Sequence, residues 1–493
     1  MSKTARTLLG RAAALATVLS MMAAACGSDS GDTEPASQPA QQQGTRATSP
    51  PEEAGQPETS ADESAPADDA PAGASDDTAT EETPATTAAP TETGTTTDEP
   101  PATTVPSRIV RIGVAFPDLE AFAVLNPEFG IGDPEAQALA VVDQWTREGL
   151  LPAGIGVELV FGKYNIISDS AKLGVCTALA QDSDVFAAVS SVSFTVGAEC
   201  LATRFEIPII DTDGAPPSLY QRGAPWFFTL RADHGTHLRS YAQWAIDNGL
   251  FDGNVGMYYE TRLDEGVEQL REQVAAAGFE IASETATSGE GVGSPEDPVA
   301  VQRFIADSVD VVLPLVGGSS LAGVMGFAES QGYRPIYLSN DYGEQTADVS
   351  GKTLPAEQYD GTLAMTMKRA GEIAAGMVNA EAEACLSNYE RYSGTDIERR
   401  APETGEFASI LRTCDLLSLV LAGLHGAAAD LTRENFVAAL ETSGDFTPAG
   451  VAPGSFGPGD HSLVDHYRAI QWDAGCPCWV AVSDFIPMAG RDS

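Results

Sequence analysis

From Arg108 onward, short apolar runs alternate with stretches of helical periodicity. This alternation limits the fold more than any other feature of the chain. Residues 108–116 (RIVRIGVAF) read as a strand, and Pro134 to Glu148 then places Ala138, Val141, Val142 and Trp145 on one helical face. Further strands are expected at 156–161, 185–189 and 207–210, with helices at 170–181 and 196–205. A second series begins near Arg231. Its helices, at 237–248, 264–277, 299–307 and 320–331, alternate with strands at 254–259, 279–283, 309–316 and 335–338. Helices at 414–429 and 432–442 and late strands at 467–472 and 479–482 complete the pattern. A βαβ order implies parallel strands with helices on both faces. The expected class is therefore α/β, with two doubly wound parallel-sheet lobes. Such sheets bind ligands beyond the carboxyl ends of their strands, and two facing lobes can close on a ligand by a hinge.

The segment before Arg108 has a different composition. Lys3, Arg6 and Arg11 precede an apolar run from Ala12 to Ala25, the pattern of a secretion signal over residues 1–25. Met22 to Gly27 resembles a bacterial lipobox, in which the cysteine, here Cys26, becomes the lipidated N-terminus; Ala23 stands where leucine is usual. An ordinary signal peptide with an incidental cysteine is the other reading. Residues 27–107 hold 17 acids, one base and no aromatic residue. Such a segment cannot bury enough apolar surface to offset its ordering entropy. With Cys26 it is expected to form a disordered acidic tether over 26–107, spanning about 50 Å as a flexible coil. The whole chain carries a net charge of −44. That argues against nucleic acid, where lysine and arginine must neutralise phosphate, and against adhesion to anionic lipid. Contact with the membrane is expected through the N-terminal lipid alone.

Several segments, in this order and spacing, resemble a known family. Arg111-Ile-Gly-Val-Ala-Phe-Pro, Ala138-Leu-Ala-Val-Val-Asp-Gln-Trp and Gly154-Ile-Gly-Val-Glu-Leu look like the opening of type I periplasmic binding proteins. Asp184-Val-Phe-Ala-Ala-Val, Ile207-Pro-Ile-Ile-Asp, Asn254-Val-Gly-Met-Tyr-Tyr and Val309-Asp-Val-Val-Leu-Pro continue the likeness, which is greatest to the branched-chain amino acid binders of ABC importers. The resemblance implies three crossovers, near 231–234, 359–363 and 457–465. Lobe 1 would then be 108–232 plus 362–460, and lobe 2 would be 233–361 plus 461–493. It also implies a Cys176–Cys200 disulfide. Setting Cys26 aside leaves six cysteines, whose spacing permits 15 pairings. Cys385–Cys414 is the expected second pair, with Cys476 and Cys478 joined locally or across; Cys476-Pro-Cys478 also reads as a redox or soft-metal pair.

The family's ligand loops fall on four places. Phe116 ends the first strand. Ser191, Ser193 and Thr195 could hold a carboxylate with hydroxyls and helix-start amides, or serve only as helix caps. Asp213, Gly214 and Ala215 replace the usual Gly-Ala-Thr, exchanging a threonine for an acid, which could equally form an Asx turn. Asp264 stands near the place of a ligand-covering tyrosine, with Tyr259 as a substitute or a core residue. Gly317 and Asp341 form the fourth, where Asp341 would accept an ammonium group or be one surface acid among many.

No Gly-x-Ser-x-Gly, His-Glu-x-x-His or Gly-x-x-x-x-Gly-Lys motif occurs. His234 and His237 could share a metal but are as well explained as capping or solvent-facing residues. The chain is thus expected to be no enzyme and to need no cofactor or metal. It is expected to be a monomeric, exported, lipid-anchored binder of a small polar solute, amino acid or amide-like, delivered to ABC permease subunits. A tethered sensor without transport is the alternative.

Overall fold

The computed structural model describes residues 106–120, 127–289, 294–377 and 379–491. The signal segment, Cys26 and the tether up to residue 105 lie outside the described residues.

The first sheet is built from β1 (Arg108–Pro117), α1 (Pro134–Glu148), β2 (Ile155–Tyr164), α2 (Asp169–Thr177), β3 (Ala187–Ser190), α3 (Thr195–Phe205), β4 (Ile209–Asp211), α4 (Pro217–Gly223) and β5 (Phe227–Thr229). All five strands are parallel in the order β2-β1-β3-β4-β5. Local chemistry sets the helix ends. Asp133 accepts the amide of Ala136 at 3.0 Å, Pro134 supplies a fixed first φ, and Gly149 ends α1 at φ 67°. A cap of this kind is worth about 1 kcal/mol.

The second sheet follows the same plan. It contains α5 (His234–Asp247), β6 (Val255–Glu260), α6 (Asp264–Ala276), β7 (Ile281–Thr287), α7 (Glu296–Ala306), β8 (Val311–Leu315), α8 (Gly318–Ser330), β9 (Ile336–Asn340) and β10 (Leu363–Thr366). Helices α9 (Ala380–Ser393), α10 (Gly405–Gly426) and α11 (Arg433–Glu441) come next in the chain, and α10 and α11 pack on the first sheet. The chain then adds β11 (His466–Asp473), β12 (Cys478–Ala481) and β13 (Ile486–Pro487) to the second sheet as antiparallel strands. The parallel part has the order β7-β6-β8-β9-β10, the same winding as the first sheet. Neighbouring residues point to opposite faces. Met257, Leu313 and Leu338 enter one core; Tyr258, Val312 and Tyr337 enter the other. Burying each such side chain contributes about 2 kcal/mol, and apolar residues on both faces are what a covered parallel sheet requires.

Two expected boundaries move. β10 pairs with β9 and β11, so it belongs to the second sheet, and the second crossover follows Thr366 instead of lying at 359–363. The segment 359–363 reads as a link because Gly361 (φ 80°) precedes only four strand residues. Leu463 packs in the core of the first sheet and Val464 in that of the second, so the last crossover lies at 463–465 and lobe 2 does not resume at 461. The crossovers are tied to neighbouring backbone: Leu463 donates to Thr229, and Ala452 donates to Met367.

Cys176–Cys200 joins α2 to α3, Cys385–Cys414 joins α9 to α10, and Cys476–Cys478 closes the β11–β12 turn. The first two pairs have Cα atoms 6.2 Å apart, within the reach of a disulfide.

Candidate solute cleft between the sheets

The loops after β3 and β4 are tied to one another. Ser193, held at φ 65°, donates its amide to Asp213 Oδ2 at 2.7 Å. Asp213 Oδ1 pairs with Arg231 at 3.3 Å. A side chain at Gly214 would stand 2.1 Å from the carbonyl oxygen of Ala232, so this loop can approach the first crossover only as glycine. The carbonyl of the buried Ala215 receives the amide of His234. Ser191 Oγ lies 3.4 Å from Arg412, Thr195 opens α3, and Phe116 packs edge-to-face on Phe161.

On the second sheet the expected residues separate. Tyr259 accepts a hydrogen bond from Arg271 at 3.2 Å, and Arg271 is bound to Glu284 on β7. Tyr259 therefore serves the α6–β7 side. Asp264 is exposed at the start of α6. Gly317 donates its amide to Glu260 at 2.8 Å. The buried Glu260 also receives the hydroxyl of Tyr342 at 2.6 Å, and Arg262 lies over the Tyr342 ring at 5.2 Å. Tyr342 is thus the aromatic residue at this edge, which the sequence pattern did not single out.

Asp341 is engaged by its own chain. It is only 1 % exposed, its Oδ1 receives the hydroxyls of Thr346 and Thr366, and its Oδ2 receives the amide of Met367. Three donors of its own chain bind it, the Lys368 ammonium lies 4.0 Å from its Oδ1, and it pins the start of the second crossover.

The charged centre comes from residues missed in the sequence. Arg231 lies on the first crossover, Lys368 on the second, Arg412 on α10, and Glu344 follows β9. Arg231 Nη2 pairs with Glu344 Oε1 at 2.5 Å, and Lys368 Nζ pairs with Oε2 at 2.7 Å. Burial alone would raise the Glu344 carboxyl, but Lys368, Arg231 and Arg412 hold it well below the usual carboxylate range. Beside them opens a cavity of about 330 Å³, near the small end of the range for solute pockets. Ile373, Met377, Leu386, Phe407, Leu411 and Val451 supply its apolar lining. Two of the acids in the wall are held well above the usual carboxylate range. Burial raises Asp415 to about 7 although two backbone amides bind it, and burial with Asp348 and Glu372 nearby raises Glu403 to about 8. The cavity thus suits an anion with an apolar body.

His234 and His237 are held uncharged by burial, with pKa values near 3 and 4. Among the described residues no group of three His, Cys, Asp or Glu could hold a metal.

A family model described as periplasmic binding protein matches residues 174–477. The chain belongs to the periplasmic binding protein family. No curated protein matches it. Among solved structures, a branched-chain amino acid ABC transporter protein from Thermus thermophilus with bound valine is 13 % identical, covering 78 % of this chain and 98 % of its own, with a TM-score of 0.59. A solute-binding protein from R. palustris in complex with 4-hydroxybenzoate is 13 % identical, with coverage of 77 % and 98 % and a TM-score of 0.60. A fatty acid ABC transporter substrate-binding protein from Thermomonospora curvata is 16 % identical, with coverage of 78 % and 94 % and a TM-score of 0.59. The two doubly wound lobes are those of the type I periplasmic binding protein fold. Family membership carries an extracytoplasmic location and the binding of small solutes.

Proposed function

We propose that the chain is the solute-capturing subunit of an ABC importer, and that its solute is a small organic carboxylate with an apolar body. The observation that carries this reading is the convergence of Arg231, Lys368 and Arg412 on one edge of an apolar cavity that touches both lobes. A charge-assisted pair gives the carboxylate direction, and the apolar lining gives affinity through burial. The solute bridges the lobes, closure is stabilised by contacts made to both at once, and the closed monomer docks on a permease. A lipid on Cys26 and the acidic tether hold it at the outer face of the cytoplasmic membrane. The valine and 4-hydroxybenzoate bound by the two structural neighbours both carry a carboxylate, which agrees with this chemistry. The carboxylate reading is favoured over an amino-acid-specific one because Asp341, the expected ammonium acceptor, is bound by three donors of its own chain.

The test is thermal unfolding of the full chain with benzoate, 4-hydroxybenzoate, hexanoate, valine, glucose and spermidine. A carboxylate at 100 times its dissociation constant should add about 2.7 kcal/mol, and glucose and spermidine should add nothing. A shift with glucose or spermidine alone would sink the carboxylate reading.

A further inference from the structure

We infer that Glu344 is a resident competitor: its carboxylate occupies the anion position of the cleft, and an incoming solute carboxylate replaces it. The inference rests on the carboxylate reading above and adds to it a residue that sets the strength of binding.

Three observations carry it. First, the carboxylate of Glu344 is held as a bound solute's would be, with one oxygen on Arg231 and the other on Lys368. Second, the partners differ in burial. The side chains of Arg231 and Lys368 are 8 % and 13 % exposed, whereas that of Glu344 is 32 % exposed. The cations are the fixed floor and the acid is the outward piece. It can turn into solvent, and they cannot follow. Third, the backbone that presents the acid lies in a region that side chains avoid. Gly343 has φ 58° and Glu344 φ 60°. Gly343 must be glycine, because a Cβ there would stand 2.3 Å from Gly317 Cα. Glu344 has no such gain, and a residue with a Cβ adopts left-handed geometry only against a steric cost. The ion pairs hold the turn, and their loss lets it relax.

Once Glu344 leaves, Arg231 keeps Asp213 at 3.3 Å and Lys368 keeps Asp341 at 4.0 Å. Both cations then lack the partner they had, and Arg412 stands beside them. The vacated position fits one carboxylate. The apparent affinity for a solute is therefore the intrinsic affinity reduced by the fraction of molecules in which Glu344 has swung out.

The experiment is calorimetric titration of benzoate, 4-hydroxybenzoate, hexanoate, valine and benzyl alcohol into the full chain and its Glu344→Gln and Glu344→Asp variants. Gln keeps the shape and loses the charge. Asp keeps the charge, is one methylene short of both cations, and preserves the test if Gln impairs folding. The expected result is at least tenfold tighter benzoate binding in Glu344→Gln, a smaller gain in Glu344→Asp, and less than twofold change for benzyl alcohol. Equal benzoate affinity in all three proteins overturns the competitor and leaves the carboxylate reading standing. Loss of binding in Glu344→Gln overturns it by making Glu344 a solute contact. If no carboxylate binds any of the three, the anion position does not exist, and both readings fall.

Discussion

The loops that follow β3, β4 and β9 consume their polar groups within the chain. Ser193 is spent on Asp213, Ala215 on His234, and Asp341 on Thr346, Thr366 and Met367. Beside those loops, Arg231, Lys368 and Arg412 gather around Glu344 at the edge of a cavity with an apolar lining. These loops offer a solute only an exchange of one hydrogen bond for another, which is worth little net. The cluster offers charge on side chains that are themselves largely buried, and charge there is worth more. Position at a strand end is therefore not enough to make a residue a ligand contact; what its polar atoms already do decides it.

The contrast can be broken most severely at Arg231. Arg231→Ala leaves Glu344 and Asp213 without their shared cation and should cost about 4 kcal/mol of stability, read by urea unfolding, together with loss of benzoate binding. Asp341→Asn should cost about 2 kcal/mol, because a buried acceptor of three donors is impaired, while valine and benzoate affinities change less than twofold. A hundredfold loss of valine binding in that variant would restore the ammonium-acceptor role. Arg412→Ala should weaken benzoate binding about tenfold, the scale of a hydrogen bond to a charged group, and should shift stability by less than about 0.5 kcal/mol. The smallest effect is that of pH. Asp415 and Glu403 hold protons in the folded chain up to about 7 and about 8, but release them near 3.8 and 4.5 when unfolded. Their contribution to stability is complete below pH 4 and is lost as pH rises through 7 and 8. Benzoate affinity should fall roughly fivefold from pH 6 to pH 9 as two negative charges enter the cavity wall; a rise over that window would contradict the charges assigned to it.

The doubly wound architecture is legible because strand and helix periods differ and recur in a fixed order. Most expected helices and strands overlap those observed, and the β10 boundary failed where a strand of four residues leaves too short a signal. Helix α9 was missed although Asn379 caps it and Cys385, Leu386 and Tyr389 recur at helical spacing; Glu381, Glu383 and Glu390 hid that pattern. The charged centre was not legible. Arg231 and Glu344 are 113 residues apart, and nothing local to either distinguishes it from the other charges of the chain. Asp341 could be located as a strand-end acid, but its three donors come from 5, 25 and 26 residues further on. Hydrogen-bond supply is a property of the folded loop, and only geometry reveals it.

The Cys385–Cys414 bridge joins the two helices that supply Ala382, Leu386, Phe407 and Leu411 to the cavity. In a reducing cytoplasm both thiols would stay free, and these helices would be joined by packing alone. Benzoate titration before and after treatment with dithiothreitol measures the difference. If the grip slackens without the bridge, the receptor passes through the cell's own solute pool with its hand open and closes it only on what lies outside.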